Sequence, residues 1–453
     1  RVLPSSNSHS SEKVEKTMRR TGLLSLCILT LLLAQSALSQ NALTDSFTVQ
    51  QAVQRVLERH PAVGQAREMV QASVARVDQD RSPYYPKADA EIGYTRLGPI
   101  AKLDVPVLGS FKLFPENNYD GHLSVEQTVF DFGKASASID LGETNLQSAR
   151  DNVEFVKTGL AFQTIQTFYA ILYLQQSIQV QDEQINALNQ HLLTTQKKVQ
   201  SGSATDFDVL TTEVRVSAAE TQKIDVENEL RKQEVAFRRL LDLPPMSPVH
   251  LHGDFSLPPI PLKADSLLAV AMQRRIEVRL SHDGEKSAEM QLQIVSLRDM
   301  PSLKVNLAYG LKNGYIPNLD VLRGNWMAAV GVQVPIFNGF KTRSQEQESE
   351  ANLRAARAHT TDVERAVTSE VLQALADVRA SLDKIQTSEL QVRQARQAID
   401  MASVRYESGV VTNLDLIDAQ TALAQAELFH LQALYHYVLS RYSLDKSIGA
   451  ILQ

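Results

Sequence analysis

Ser201-Gly202-Ser203-Ala204-Thr205-Asp206-Phe207-Asp208-Val209 returns, in altered form, as Ser408-Gly409-Val410-Val411-Thr412-Asn413-Leu414-Asp415-Leu416. The offset is 409 − 202 = 207. Working back along the chain, Val129-Phe130-Asp131 pairs with Ile336-Phe337-Asn338 at 336 − 129 = 207, and Lys134 pairs with Lys341. One offset held over about 80 residues leaves no room for a net insertion, so the chain is an internal duplication. Further upstream, Pro86 to Tyr94 matches Pro301 to Tyr309 at 309 − 94 = 215. The first copy is therefore eight residues longer between Tyr94 and Val129 (215 − 207). A length change confined to one place marks an exposed loop.

Proline placement predicts the helices. No proline lies between Pro115 and Pro244, and none follows Pro335. Residues 134 to 200 can run as one helix of about 100 Å at 1.5 Å per residue, interrupted only by Gly142 and Gly159. The counterpart, 341 to 407, has neither Gly nor Pro. Beyond the Gly202 and Gly409 turns, 205 to 242 and 412 to 448 can form helices of about 55 Å. At these turns the glycines supply the positive φ of a helix C-cap. Thr205 or Asp206, and Thr412 or Asn413, are the candidate caps of the returning helices. Single apolar positions such as Val153, Val156 and Leu160 are spaced among many Ala, Gln and Glu. Helices this long exceed a compact domain and indicate coiled-coil or tubular packing. An ordinary four-helix bundle is the plain alternative, but it leaves the strand segments unexplained.

Those segments alternate with period two. Ala88, Ala90, Ile92 and Tyr94 oppose Asp89, Glu91, Gly93 and Thr95. In the second copy Leu303, Val305, Leu307 and Tyr309 oppose Lys304, Asn306, Ala308 and Gly310. The return strands set Tyr119, Leu123 and Val125 against His122, Ser124 and Glu126, and Trp326, Ala328, Val330, Val332 and Val334 against Met327, Gly331 and Gln333. An apolar outer face, a polar inner face and aromatics near strand ends form the pattern of a transmembrane β-barrel. A soluble sandwich also alternates, but charges on the inner face favour a water-filled interior. Tyr94, Tyr119, Tyr309 and Trp326 are the candidate membrane-interface aromatics.

Composition agrees with an exported envelope protein. The 453 residues carry a formal net charge of −6 with both signs mixed, so no basic patch points to nucleic acid. No apolar run outside the N-terminus is long enough for a transmembrane helix. Met18-Arg19-Arg20, the short apolar stretch Leu23 to Ala34 and the small residues of Ala37-Leu38-Ser39 read as a signal peptide. A retained anchor is the alternative. The single cysteine, Cys27, falls inside this leader, so the mature protein is expected to have no disulfide and no thiol chemistry.

The organisation that follows is mainly α with a transmembrane β component. Residues 1–39 are upstream sequence and signal peptide. The first repeat, 40–242, holds a helix, a β-hairpin over 86–130 and a helical hairpin over 134–242. A proline-rich linker follows at 243–262. The second repeat, 263–453, holds a helix, a β-hairpin over 301–337 and a helical hairpin over 341–448. Four membrane strands cannot close a barrel, and an open edge is not tolerated in lipid. The barrel must therefore be shared between chains. Two chains give a barrel filled by side chains, and three give one wide enough to hold water.

With this duplicated order and the two turn motifs, Ser201-Gly202 to Val209 and Tyr406-Glu407-Ser408-Gly409 to Ala419, the chain resembles the TolC-like outer-membrane efflux family from about Asp45 onward. The resemblance implies a homotrimer with a 12-stranded β-barrel in the outer membrane and a 12-helix coiled-coil tunnel across the periplasm. The linker and termini would form an equatorial belt. It implies a porin-like transport duct without chemistry or cofactor, working in tripartite efflux or type I secretion. Its partners would be a periplasmic adaptor, an inner-membrane pump of RND, ABC or MFS type, and outer-membrane lipid. The family's adaptor contact falls on Gly202, Thr205, Phe207 and Asp208, and on Gly409, Thr412, Leu414 and Asp415. Its periplasmic gate falls on Tyr406, Asp415 and Asp418. Asp415 and Asp418 are three apart and share a helix face, so three chains would present six carboxylates, a ring that binds cations. The alternative for these acids is a solvated helix surface. The family usually has an Arg after the turn glycine, where this chain has Val411, so the closing salt-bridge network is expected to differ.

Two other readings are weaker. An enzyme would need a site, but the ten histidines are scattered and no HExxH, GxSxG or P-loop pattern occurs. His250 and His252 could pair on a metal, yet they lie in the proline-rich linker and read better as a surface loop. A periplasmic adaptor also carries long helical hairpins, but the duplicated strand pairs argue against it.

Overall fold

The computed structural model describes residues 46–106, 109–258 and 263–452. The predicted signal peptide and Cys27 lie outside the described residues. In chain order the elements are β1 (Ser46–Phe47), α1 (Val49–Arg59), α2 (Pro61–Asp80), β2 (Lys87–Arg96), β3 (Lys102–Val105), β4 (Gly109–Lys112), β5 (Asn117–Phe130), α3 (Lys134–Gln200) and α4 (Asp206–Leu240). After the linker come β6 (His250–Leu251), α5 (Ala264–Arg274), α6 (Ile276–Ser296), β7 (Ser302–Lys312), β8 (Arg323–Gln333), α7 (Lys341–Glu407) and α8 (Asn413–Ser447). The duplication survives folding. The long helices α3 and α7 each have 67 residues, and α4 and α8 each have 35.

Each copy opens with two helices where the sequence reading has one. The breaks fall at His60 and Arg275, 275 − 60 = 215 apart, with nearly the same extended backbone (φ −65, ψ 129 and φ −64, ψ 127). At His60 the following Pro61 disfavours helical torsions. At Arg275 no proline acts. Its guanidinium is buried and held by Glu277 at 2.8 Å, by Glu370 of α7 at 2.8 Å and by the Ser447 carbonyl of α8 at 3.2 Å.

The strands form one antiparallel sheet in the order β2-β5-β7-β8, so the two copies join at β5–β7. The register puts Tyr94 opposite Tyr119, Leu123 opposite Tyr309, and Tyr309 opposite Trp326. Every alternating apolar position therefore falls on one face. Strands of 10 to 14 residues suit a tilted crossing of a hydrocarbon layer about 30 Å thick. The loop of the first hairpin carries its own small ribbon, β3–β4, with Leu103 opposite Phe111. The extra length of copy one is thus partly ordered strand. The outer strands β2 and β8 have no pairing partner on their far sides within the described residues.

Below the sheet, α2 and α6 pack beside α3, and α6 also packs beside α7. Further down, α3 runs against α4 and α8, and α7 against α8. The main core lies between these levels. Val49, Ala52 and Val56 recur at helical spacing on α1 and turn into it. They meet Phe168, Ile171 and Leu172 of α3, Phe237 of α4 and Val438 of α8. The linker returns here, β6 pairing parallel to β1 with Phe47 opposite Leu251. A second cluster joins Leu267 and Ala271 of α5 to Val371 and Val378 of α7.

Candidate functional site

The far ends of the helical hairpins are built twice by the same local chemistry. Gly202 and Gly409 adopt φ +74 and +72, conformations that L side chains rarely tolerate. The Ser203 amide donates to the Lys198 carbonyl at 2.8 Å, and the Val410 amide to the Arg405 carbonyl at 2.8 Å, closing a Schellman turn at each tip. Of the alternative caps, Thr205 and Thr412 are the ones used. The Asp208 and Asp415 amides donate to their hydroxyls at 3.3 and 3.2 Å. The two carboxylates return the bond, accepting from the Thr205 and Thr412 backbone amides at 2.9 and 2.8 Å. Phe207 and Leu414, one residue before each carboxylate, are exposed, as is Val410. All eight adaptor candidates thus sit in or beside two equivalent, solvent-facing turns.

Within the chain, among the described residues, the three gate candidates share no partner. Tyr406 is 7% exposed. Its ring meets the His191 ring edge-on at 5.1 Å and takes the Lys198 ammonium over its face at 3.8 Å. Lys198 Nζ also donates to the Tyr406 carbonyl at 3.0 Å. Asp415 is occupied by Thr412, whose hydroxyl and backbone amide hold its carboxyl below the usual carboxylate range. Asp418 is exposed and lies 3.5 Å from Arg215 Nη2 of α4. With Val411 where an Arg was expected, Arg215 is the cation beside Asp418.

The two helical hairpins are tied together by His191, Lys198 and Arg215 on the first, which sequence reading missed, and by Asn413 on the second, which it offered only as a cap. The duplication held a signal for them. At the 207 offset His191 faces Ala398, Tyr406 faces Val199, Arg215 faces Ala422, Asp418 faces Thr211 and Asn413 faces Asp206. At His191/Ala398, Tyr406/Val199 and Arg215/Ala422 one copy carries a polar group where the other is apolar, whereas Lys198/Arg405 and Asn413/Asp206 are polar in both copies, so the signal is partial.

At the other end, Tyr94 and Tyr119 pair directly with ring centroids 5.2 Å apart, and Tyr94 donates to Asn117 Oδ1 at 2.9 Å. Tyr309 and Trp326 stand opposite each other in the strand register, and Trp326 is 77% exposed. The opposite face is ionic. Lys304 meets Glu126 at 2.7 Å, and Lys312 and His122 meet Asp120 at 3.2 and 2.8 Å. No helix among the described residues is long and apolar enough to cross a membrane. Nor does any group of three or more His, Cys, Asp or Glu among them suit a metal ion. His250 lies in β6, and the His252 amide donates to the Phe47 carbonyl at 2.9 Å.

The chain is similar to Protein CyaE of Bordetella pertussis, with 23% identity over 85% of this chain and 81% of that protein. It is also similar to the outer membrane protein TolC of Vibrio cholerae, with 21% identity over 69% of this chain and 73% of that one. Its fold is that of the outer membrane protein VceC of Vibrio cholerae, with a TM-score of 0.77 at 17% identity, covering 88% of this chain and 96% of the other. A family model described as outer membrane efflux protein matches residues 52–242 and 267–450, one segment in each copy. The chain belongs to the outer membrane efflux protein family.

Proposed function

We propose that three copies of this chain form the outer-membrane exit duct of a tripartite efflux or type I secretion system, passing substrates from periplasm to exterior without chemistry. The observation that carries the reading is the four-stranded sheet with one apolar face and two unpaired edges. Unpaired backbone groups cost several kcal/mol each in hydrocarbon, so β2 of one chain pairs with β8 of the next until the barrel closes. Twelve strands give an aqueous interior, lined by the ionic face that carries Glu126, Lys304 and Asp120. Tyr94, Tyr119, Tyr309 and Trp326 anchor the sheet at the lipid interface.

The helical hairpins then assemble into the periplasmic tunnel. Asp415 and Asp418 stand around its narrow mouth, with Tyr406 behind them. The two glycine turns, with Thr205, Phe207, Asp208, Thr412 and Leu414, dock the adaptor of an inner-membrane pump. The adaptor alternative draws no support from the family match, which covers both strand pairs.

Cross-linking in native membranes is expected to give a three-chain species, and a stable membrane-spanning monomer would refute the reading. An epitope placed at Gly109, in the β3–β4 ribbon, should be reachable from outside intact cells; access only from the periplasm would reverse the orientation. Gly202→Glu with Gly409→Glu strains each turn by about 1–3 kcal/mol because both φ values are positive, but nothing lies within 4 Å of the built Cβ at either site, so the strain stays in the turn and assembly should persist. Export should fall, and unchanged export would remove the turns as the docking site.

A further inference from the structure

A buried polar cluster holds the start of α8 against the first helical hairpin. Asn413 is 7% exposed and His191, on α3, is 5% exposed. The side-chain amide of Asn413 donates from Nδ2 to the Asp208 carbonyl at 3.1 Å, with the Thr212 and Thr211 hydroxyl oxygens at 3.3 and 3.4 Å. Both hydroxyls spend their hydrogens on the Asp208 carbonyl, at 2.7 and 3.0 Å, and so act as acceptors toward Asn413. The amide orientation is therefore determined, and Oδ1 faces His191 Nε2 at 2.5 Å. A carbonyl oxygen only accepts, so Nε2 carries the proton of the neutral ring; a second proton enters at Nδ1 and leaves the bond to Asn413 in place, so what protonation changes is the charge held in this buried site.

We infer that the His191–Asn413 pair is a proton-sensitive latch that positions the start of α8, and with it Asp415 and Asp418, against the α3–α4 hairpin. The consequence for conduction rests on the gate reading above; the latch itself does not. Charged and titratable groups face His191 from three sides. Lys198 comes from α3, Asp208 from α4 and Tyr406 from α7, while the contact from α8 is the uncharged Asn413. Burial is the largest influence and, with Lys198, lowers the His191 pKa; the bond to Asn413 and the Asp208 charge act against them. The Asp208 carboxylate is engaged by the Thr205 hydroxyl at 2.8 Å.

The sign follows. A released, hydrated His191 titrates near about 6.5, whereas the latched ring titrates lower. The latch is at full strength above that value. Below it the latched-to-released ratio falls by up to about tenfold per pH unit, until the lower pKa of the latched ring is reached.

The test uses the full chain with Cys27→Ser and spin labels at Ser203→Cys and Val410→Cys, labelled chains being diluted with unlabelled ones so that distances are read within a chain. Between about pH 7.5 and about pH 5.5 the population with separated tips should rise by up to about tenfold. His191→Gln, whose amide still donates to Asn413, should stay latched at both values. Asn413→Ala should be released at both. The same pH response in His191→Gln and wild type would overturn the proposal, as would unaltered tip distances in Asn413→Ala. Planar-bilayer conductance is recorded in parallel. Tips that separate with pH while conductance stays constant would uphold the latch and remove the gate reading.

Discussion

Asp415 turns its carboxylate back onto Thr412, accepting from the backbone amide at 2.8 Å and from the hydroxyl at 2.7 Å. The acid assigned by resemblance to a pore ring is thus also the third residue of a capping box. Thr412→Ala should cost the first turn of α8 about 1 kcal/mol, read as amide exchange about fivefold faster over 413–416. Hydrogen bonds from Thr412 hold the Asp415 pKa below its ordinary value of 3.8. A depressed carboxylate contributes stability above the ordinary value and loses it as pH falls through the lowered one. This cap should therefore be unchanged between about pH 5 and about pH 8, and exchange that varies there in His191→Gln would contradict it.

The joint between the two copies should depend on Gly310. A Cβ built there lands on the Gly121 carbonyl and within 2.8 Å of the His122 Cα, on the paired strand β5. Backbone cannot yield as a side-chain end can, so Gly310→Ala should destabilise the oligomer by about 1–3 kcal/mol. Gly331→Ala on β8, where nothing lies within 4 Å, is the control and should be neutral. Heat-dissociation of the oligomer on gels reads both.

The main core should be sensitive to Phe237. Its side chain is fully buried, with the Phe47 ring at 6.1 Å and the Phe168 ring at 6.4 Å. Phe237→Ala should cost about 3–5 kcal/mol and lower the unfolding midpoint in a thermal melt. Because the ring fills the space between β1, α3 and α4, loss of α-helical signal should be accompanied by early exposure of the linker to protease.

At the mouth, Arg215 and Asp418 are both largely exposed, so Arg215→Ala should cost under about 1 kcal/mol of stability. Its effect on ions should be larger. Removing the cation frees the Asp418 carboxylate, and block by multivalent cations from the periplasmic side should strengthen. Asp415→Asn with Asp418→Asn should abolish that block. Identical block in wild type, Arg215→Ala and the double variant would show that these carboxylates do not line the pore.

Much of this architecture is written locally. An offset of 207 needs only comparison of the chain with itself, and the helices α3 and α7 begin 341 − 134 = 207 apart. Long proline-free runs, glycines at the turns and period-two strands are legible because torsion and side-chain direction are decided within a few residues. The helix break at Arg275 was not legible. The guanidinium at that break is buried and held by Glu370 and Ser447, which are far away in sequence. Likewise, nothing local reveals that His191 meets Asn413 across 222 residues, or that Arg215 meets Asp418 across 203. Those pairings depend on how α3 and α4 lie against α7 and α8, a choice made by the packing of whole helices. Sequence alone determined the repeat, the long helices, the alternating strands and the turns; tertiary structure decided which polar side chain each tip residue holds, because burial and contact at long separation exist only once the hairpins are side by side.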